Sequence, residues 1–411
     1  MSESCLLLPP TMNQSTVWCW SNLPNELLDL ISQNLTNYVD YVRLRAVCPT
    51  WRSNLPKKPN HLVTQLPWLL LPHYDNNTIC ETHCSFFNLA DNKTYRLELP
   101  EVLGDGMICW GSPHGWLVIM KQEGPLLSLL NPLTREEIQL PSLFFFPETS
   151  LREDLAGVVI PWDSIGYLGK SKIVKALLFG NPCESDYVVI VIMTGGPCSL
   201  AFFQVGAVAW TLFMDTYKMC FLDVVFFKGQ FYAVDYAAHV YICHLGASPT
   251  VVKVADPAET YVDAEPETKY LVESVNELLL VYRYEVHNWA TISDSTYYFT
   301  VHKLQLSESR WSLVDDLKEQ VLFLGRNCSF SLSAGSYPCC RGNSVYYTDE
   351  HRDPIDIPSL FKVSCNCLRG YDLGVFSLYD GDVERPPSYP LPSPCSIKCI
   401  VPPPVWVTLA P

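Results

Sequence analysis

From residue 66 onward the chain is written in short runs of Val, Ile, Phe, Tyr and Trp parted by turn residues, a texture that constrains the fold to a mainly β domain. The runs include Phe86–Leu89, Tyr95–Leu99, Gly115–Met120, Leu126–Asn131, Tyr187–Met193 and Phe221–Phe227. Gln230–Val234, Val240–His244, Leu278–Tyr284, Tyr297–Leu306, Ser344–Tyr347 and Gly374–Tyr379 follow. Several obey one plan. Phe87 to Pro100 reads strand, polar turn, strand, proline; Leu129 to Pro141 repeats it; Val301–Val314, turning at Glu308 and Ser309, is a third version. Val224–His244 holds two turns in succession, at Lys228-Gly229-Gln230 and at Tyr236–His239. Hairpins recurring every few dozen residues suggest propeller blades of roughly 40–50 residues each, so about 340 residues could supply six or seven. A pair of β-sandwiches is the competing architecture. Only Val314–Leu322 has a fair helical period, and a loop beside a strand explains it equally well.

Ahead of this domain, Trp20 to Lys58 has a different texture. Leu27, Leu28, Ile31 and Leu35 fall at the spacing that shares one face of a helix. Pro24 suits the first helical position and Glu26 the positive end of the helix dipole. Asn37 or Asp40 can cap a second helix with Leu44 and Val47 on its apolar side. Pro49 disfavours the α region at Cys48, which should end that helix; Pro49 can then open a third, carrying Trp51. A unit this small cannot bury so many apolar groups alone, so the surplus should meet a partner.

Leu23-Pro24-x-Glu26-Leu27-Leu28, then Ile31, Leu35, Asp40, Arg43, Arg45-x-Val47-Cys48 and Trp51-Arg52, resemble an F-box. The resemblance implies docking on the Skp-family adaptor of a cullin-based ubiquitin ligase. The contact set would be Leu23, Pro24, Leu27, Leu28, Ile31, Leu35, Leu44, Val47 and Trp51. Further on, Cys109-Trp110-Gly111-Ser112-Pro113-His114-Gly115-Trp116-Leu117-Val118 resembles the Gly-Ser-x-His-Gly-Trp-Leu signature of a plant domain of unknown function (DUF295 type). That domain is propeller-like or kelch-like and often stands behind an F-box. Leu130-Asn131-Pro132-Leu133-Thr134, the Phe203–Trp210 hairpin and Gly229–Ala233 fit its later elements. Val205-Gly206-Ala207-Val208 departs from it, where a more polar turn is usual.

The expected chain is therefore multidomain, a small all-α F-box followed by a mainly β domain, a β-propeller. Its layout would be a tail at 1–18, the F-box at 19–58, a linker at 59–65, the β domain at 66–385 and a Pro-rich tail at 386–411. Within that tail, Ile397–Val401 and Val405–Leu409 could close the last blade. The resemblance implies a substrate adaptor with no catalytic residues, cofactor or metal, and with an unidentified protein substrate. A non-degradative interaction protein and an enzyme with a site in the propeller channel are the alternatives.

Composition narrows the partners. A net charge of −15 disfavours nucleic acid and anionic membranes, because nothing offsets phosphate repulsion. The longest apolar run, Leu200 to Met214, is too short to span a bilayer as a helix and is broken by Gly206. The 17 cysteines form no disulfide framework. Cys80, His83 and Cys84 have tolerable zinc spacing but lack a fourth ligand, so reduced thiols are expected. Without a secretory signal or Arg-rich leader, a reducing compartment, nucleus or cytoplasm, fits best. Ser164–Ser171 nearly spells a phosphate-binding loop but lacks its first glycine. His114 has no carboxylate or nucleophile beside it in sequence and reads as structural.

Overall fold

The computed structural model describes residues 20–36, 38–57, 59, 61–62, 66–75, 78–103, 107–121, 126–143, 152–153, 159–160, 172–184, 186–194, 199–213, 216, 219–260, 262–288, 293–337, 339–349, 372–384 and 404–409. Expectations for the N-terminal tail, Asn37, the phosphate-loop-like 164–171 and the segment 397–401 lie outside them. The chain divides into two compact units, a helical one ending at Val63 and a β unit from Thr64 to Ala410.

The helical unit holds α1 (Asn25–Gln33), α2 (Tyr38–Ala46) and α3 (Pro49–Asn54). Pro24 stands one place earlier than expected, as the N-cap residue of α1, where its carbonyl accepts from the N–H groups of Leu27 and Leu28. Its fixed φ is compatible with the extended ψ of 141° needed to enter the helix. Asp40 is not a cap. It lies within α2 and pairs with Arg43 at 3.1 Å. Cys48 is extended (φ −158°, ψ 163°), as the following proline requires, and its Sγ accepts from the Trp51 N–H at 3.4 Å.

The β unit is a six-bladed propeller. Blade 1 contains β1 (Trp68–Asp75), β2 (Thr78–Asn88) and β3 (Lys93–Glu98). Blade 2 follows as β4 (Ile108–Gly111), β5 (Leu117–Lys121), β6 (Leu126–Leu130) and β7 (Glu137–Gln139). A two-stranded ribbon, β8 (Arg152–Glu153) with β9 (Val159–Ile160), separates it from blade 3. Blade 3 is β10 (Lys172–Asn181), β11 (Asp186–Thr194), β12 (Leu200–Gln204) and β13 (Thr211–Leu212). Blade 4 is β14 (Phe221–Phe227), β15 (Gln230–Asp235), β16 (Val240–His244) and β17 (Thr250–Ala255). In blade 5 come β18 (Thr268–Ser274), β19 (Glu277–Asn288), β20 (Ser293–Gln305) and β21 (Arg310–Leu313). Blade 6 has five strands, β22 (Gln320–Leu324), β23 (Phe330–Ser333), β24 (Ser344–Tyr347), β25 (Gly374–Ser377) and β26 (Val383–Glu384). The last strand, β27 (Val405–Val407), pairs antiparallel with β1.

Two expectations change here. The terminal strand closes the first blade rather than the last, because blade 6 is already filled by its own five strands while blade 1 lacks an inner one. Val314–Leu322 holds no helix: β21 ends at Leu313, a loop follows, and β22 begins at Gln320.

Turn chemistry sets the hairpins. Lys228 and Gly229 (φ 47° and 80°) join β14 to β15, and Val275 and Asn276 (φ 49° and 63°) join β18 to β19. Two successive left-handed residues match the twist of the flanking strands. The buried Asn131 side chain accepts from the N–H groups of Leu133 and Thr134, which turns the chain between β6 and β7. Apolar clusters join blade 2 to 3, 3 to 4, 4 to 5, 5 to 6 and 6 to 1. Indoles pin neighbouring segments together: Trp110 donates to the Val174 carbonyl at 3.3 Å and Trp210 to that of Pro141 at 2.7 Å.

Candidate functional site

The helical unit offers one face. On α1, Leu28 is fully buried and Ser32 is buried beside it, and Leu35 just beyond the helix is half-buried, so these residues turn inward. Leu27 (48% exposed), Leu30 (56%) and Ile31 (39%) turn outward together, at the i, i+3, i+4 spacing of one helical stripe. Val47 at the end of α2 and Trp20 ahead of α1 are also exposed, whereas Leu23 and Leu44 are half-buried and Pro24 is exposed.

Two members of the expected contact set are therefore core residues. Leu28 fills the space beneath α1, and Trp51 is buried with its indole N–H donating to the Trp20 carbonyl at 2.9 Å. Both support the face from inside instead of presenting it. Tyr41 donates to the Pro56 carbonyl at 2.8 Å, and Asn54 Nδ2 reaches Asn25 Oδ1 at 2.6 Å, tying α3 to the start of α1. Leu30 and Trp20 are the exposed apolar residues that the sequence reading omitted. The spacing Leu27, Leu30, Ile31 carried the signal for Leu30, but a single stripe running through Leu28 concealed that α1 has two apolar faces.

In the β unit, the propeller's axis is occupied by its own chain. The segment 325–329 leaves β22 and returns as β23, the inner strand of blade 6. The Cys328 N–H donates to the Gly111 carbonyl on β4 at 3.0 Å, and its thiol approaches the Leu178 carbonyl on β10 at 3.6 Å. Ser329 Oγ donates to Asp223 on β14 at 2.7 Å, and Ser331 Oγ lies 2.9 Å from Ser274 Oγ on β18. Only a segment at the axis can touch the inner strands of blades 2, 3, 4 and 5 in succession. Arg326, Asn327, Cys328 and Ser329 are all buried. This insertion also explains why β22 and β24 run parallel, since β23 comes between them in the chain.

One pair of opposite charges meets beside the axis. Lys175 Nζ of blade 3 lies 2.9 Å from Asp223 Oδ1 of blade 4, both almost fully buried. Burial pushes the Asp223 carboxyl above its usual range; the Lys175 ammonium, the Ser329 hydroxyl and the Leu271 N–H act against that rise. Between blades 5 and 6 the buried Arg283 guanidinium meets Glu285 and Asp372, each at 2.8 Å, and donates to the Thr348 carbonyl. Glu285 shares β19 with Arg283, whereas the contacts to Asp372 and Thr348, like Lys175–Asp223, fasten one blade to the next.

His114 sits in the corner expected of it. Its N–H donates to Ser112 Oγ at 3.2 Å, that hydroxyl donates to the Trp116 carbonyl, and burial lowers the imidazole pKa. Gly115 takes φ 86°, and a Cβ on Gly111 would lie 1.9 Å from the Trp406 carbonyl oxygen, so each glycine is required for its own reason. Among the described residues no three His, Cys, Asp or Glu side chains gather as a metal site. Cys84 is fully buried, and burial pushes its thiol far up. No helix among the described residues is long and apolar enough to cross a membrane.

Comparison with known proteins agrees with both units. Residues 20–60 match the F-box domain, and residues 86–377 match the family described as the KIB1-4 beta-propeller. The F-box protein SKIP23 of Arabidopsis thaliana is 28% identical over 421 aligned positions, covering 95% of each chain. The F-box protein At2g17036 of the same plant is 26% identical, again with 95% of each chain covered. The putative F-box/kelch-repeat protein At5g24040, also from Arabidopsis thaliana, is 24% identical over 80% of this chain and 87% of its own. With an F-box unit ahead of a six-bladed propeller that the family match covers for most of its length, the chain belongs to the plant F-box proteins of the KIB1-4 beta-propeller family.

Proposed function

We propose that this protein is the substrate-recognition adaptor of an SCF-type ubiquitin ligase: the F-box docks on a Skp-family adaptor, and through it on a cullin, while the propeller holds a protein substrate. The observation that carries the reading is the outward stripe of Leu27, Leu30 and Ile31, left uncovered by the helical unit while Leu28 and Trp51 supply its core. An amphipathic helix of this kind suits a hydrophobic groove on a partner. The protein itself contributes no chemistry in this reading. Rate enhancement comes from holding a target lysine near a charged conjugating enzyme, a proximity effect.

Two further features favour an adaptor over an enzyme. The channel where a propeller enzyme would place its site is filled by buried residues 326–329. Beside it, buried Lys175 and Asp223 answer one another between blades 3 and 4. A net charge of −15 favours protein partners over phosphate backbones and anionic membranes, and the nucleus or cytoplasm, where such ligases act on soluble targets, is the expected setting.

The test is co-purification of the full chain with a Skp-family adaptor and cullin, beside the double variant Leu27→Glu/Ile31→Glu. Wild-type capture that disappears in the variant supports the adaptor reading. Failure of the wild type to bind any Skp-family adaptor would sink it. Binding of Skp without recruitment of cullin would point instead to a non-degradative interaction protein.

A further inference from the structure

Blades 5 and 6 meet in an open cleft of about 190 Å³ walled by Tyr298, Leu313, Phe376 and Leu378, with Asp315 on its lining. Its aromatic wall departs from strand alternation. In a regular strand one of two successive side chains would turn inward, yet Tyr297 and Tyr298 are 40% and 37% exposed. The cause is a register shift opposite them, between Tyr284 and Glu285 of β19, and such bulges re-aim side chains. Tyr298 is held in this pose by an edge contact to Phe376, ring centroids 5.3 Å apart. The β25–β26 turn beside it lifts Tyr379 almost wholly into solvent.

The rim is acidic. Asp315 lines the cleft, and the β25–β26 turn lies against Tyr298, a Cβ on Gly381 standing 3.7 Å from its ring, with Asp380 and Asp382 on either side of that glycine. Arg341 answers Asp380 at 2.9 Å and Glu384 at 3.2 Å; among the described residues no ion pair reaches Asp315 or Asp382. Carboxylates around exposed aromatic faces complement cations, which gain from both. A cleft of this size takes a single apolar side chain rather than a whole small ligand.

We propose that this cleft is the substrate-docking site of the propeller and that it takes a basic protein segment, one apolar side chain entering between Leu313 and Phe376 and flanking arginines or lysines lying against Tyr298, Tyr379 and the carboxylate rim. The proposal rests on the adaptor reading and names the class of substrate for it. The protein's overall negative charge steers such a segment towards it.

The test uses the full chain and a short fluorescein-labelled peptide with one leucine flanked by arginines, read by fluorescence anisotropy. Saturable binding is expected, weakening with salt. Loss of about tenfold in affinity is expected for Tyr379→Ala, for Asp315→Lys/Asp382→Lys, and for a peptide with serine in place of leucine. Tyr379 stands clear of the core, so its variant should keep the wild-type melting temperature. Equal binding of a glutamate-for-arginine peptide overturns the proposal, as does wild-type affinity in both variants or no saturable binding at all. Indifference to the leucine reduces the site to a general cation trap and likewise overturns it. The same preparations are assayed for Skp capture: captured Skp without peptide binding removes the cleft alone, and peptide binding without Skp removes the adaptor reading.

Discussion

At the scale of single residues, neighbours in sequence have opposite duties. Leu27 and Leu28 are adjacent leucines on α1, one 48% exposed and one fully buried. Leu28→Ala should cost the helical unit about 2–5 kcal/mol by leaving a cavity, whereas Leu27→Glu should leave its helical circular dichroism unchanged and remove only partner binding. The axial pair Lys175–Asp223 divides similarly. Asp223→Ala strands a buried ammonium and should destabilise the propeller by about 3–5 kcal/mol in denaturant unfolding, while Lys175→Met/Asp223→Leu together should recover most of that loss. A shortfall in the double variant equal to the single one would mean that the charges matter beyond their pairing. His302, buried on β20 with Nε2 3.1 Å from Thr300 Oγ1, has its pKa lowered to about 4 by burial. In the unfolded chain it takes a proton near 6.5, so the unfolded state binds more protons between those values. The stability that neutral His302 lends is complete above about pH 6.5 and is lost as pH falls towards 4. His302→Gln should therefore flatten the fall in unfolding free energy between pH 7 and 5, by about 2 kcal/mol.

Single elements decide whether the ring closes. β27 contributes only Val405–Val407, yet it pairs with Trp68–Leu70 and packs Trp406 against Phe323 and Tyr346 of blade 6. It also meets blade 2, where the Thr408 N–H donates to the Ser112 carbonyl at 3.2 Å and the Trp406 carbonyl crowds Gly111. One short strand thus bonds or packs against three blades. Truncation before Val405 should lower the melting temperature and broaden the transition as blades 1 and 6 part. Gly111→Ala should reproduce part of this, at a cost of roughly 1–3 kcal/mol, because backbone must shift to admit the methyl group. A truncated chain that melts as sharply and as late as the full one would show that the ring is held by inter-blade apolar packing alone. The segment 325–329 is the second decisive element. By bonding to the inner strands of several blades it makes blade 6 both a blade and an axle.

Over the whole molecule, the proposed function separates by unit: an α stripe for assembly and a β scaffold for selection. A substitution that removes Leu27 and Ile31 should abolish ligase assembly without altering propeller melting, and the Tyr379→Ala change should do the reverse to substrate binding. Much of this was legible in the chain. The β texture, the hairpins at Lys228-Gly229 and Asn131-Pro132, and the break at Cys48-Pro49 follow from local rules: left-handed residues, Asx turns and proline sterics act within a few positions. Leu27 and Ile31 were legible as surface because their helix carries more apolar residues than its unit can bury. What local rules do not reach is any partner distant in sequence. Leu28 and Trp51 read as surface until α3 packed against α1; the terminal strand read as closing the last blade until β1 was found without an inner neighbour; and nothing local marked residues 325–329 as the filling of the axis. Which residues form strands, turns and helices could be read from the chain alone, because those choices are settled by neighbours a few bonds away. Which blade closes the ring, what fills its axis and which leucines face out came from the folded chain, because each depends on excluded volume and hydrogen-bond partners supplied by residues tens to hundreds of positions away.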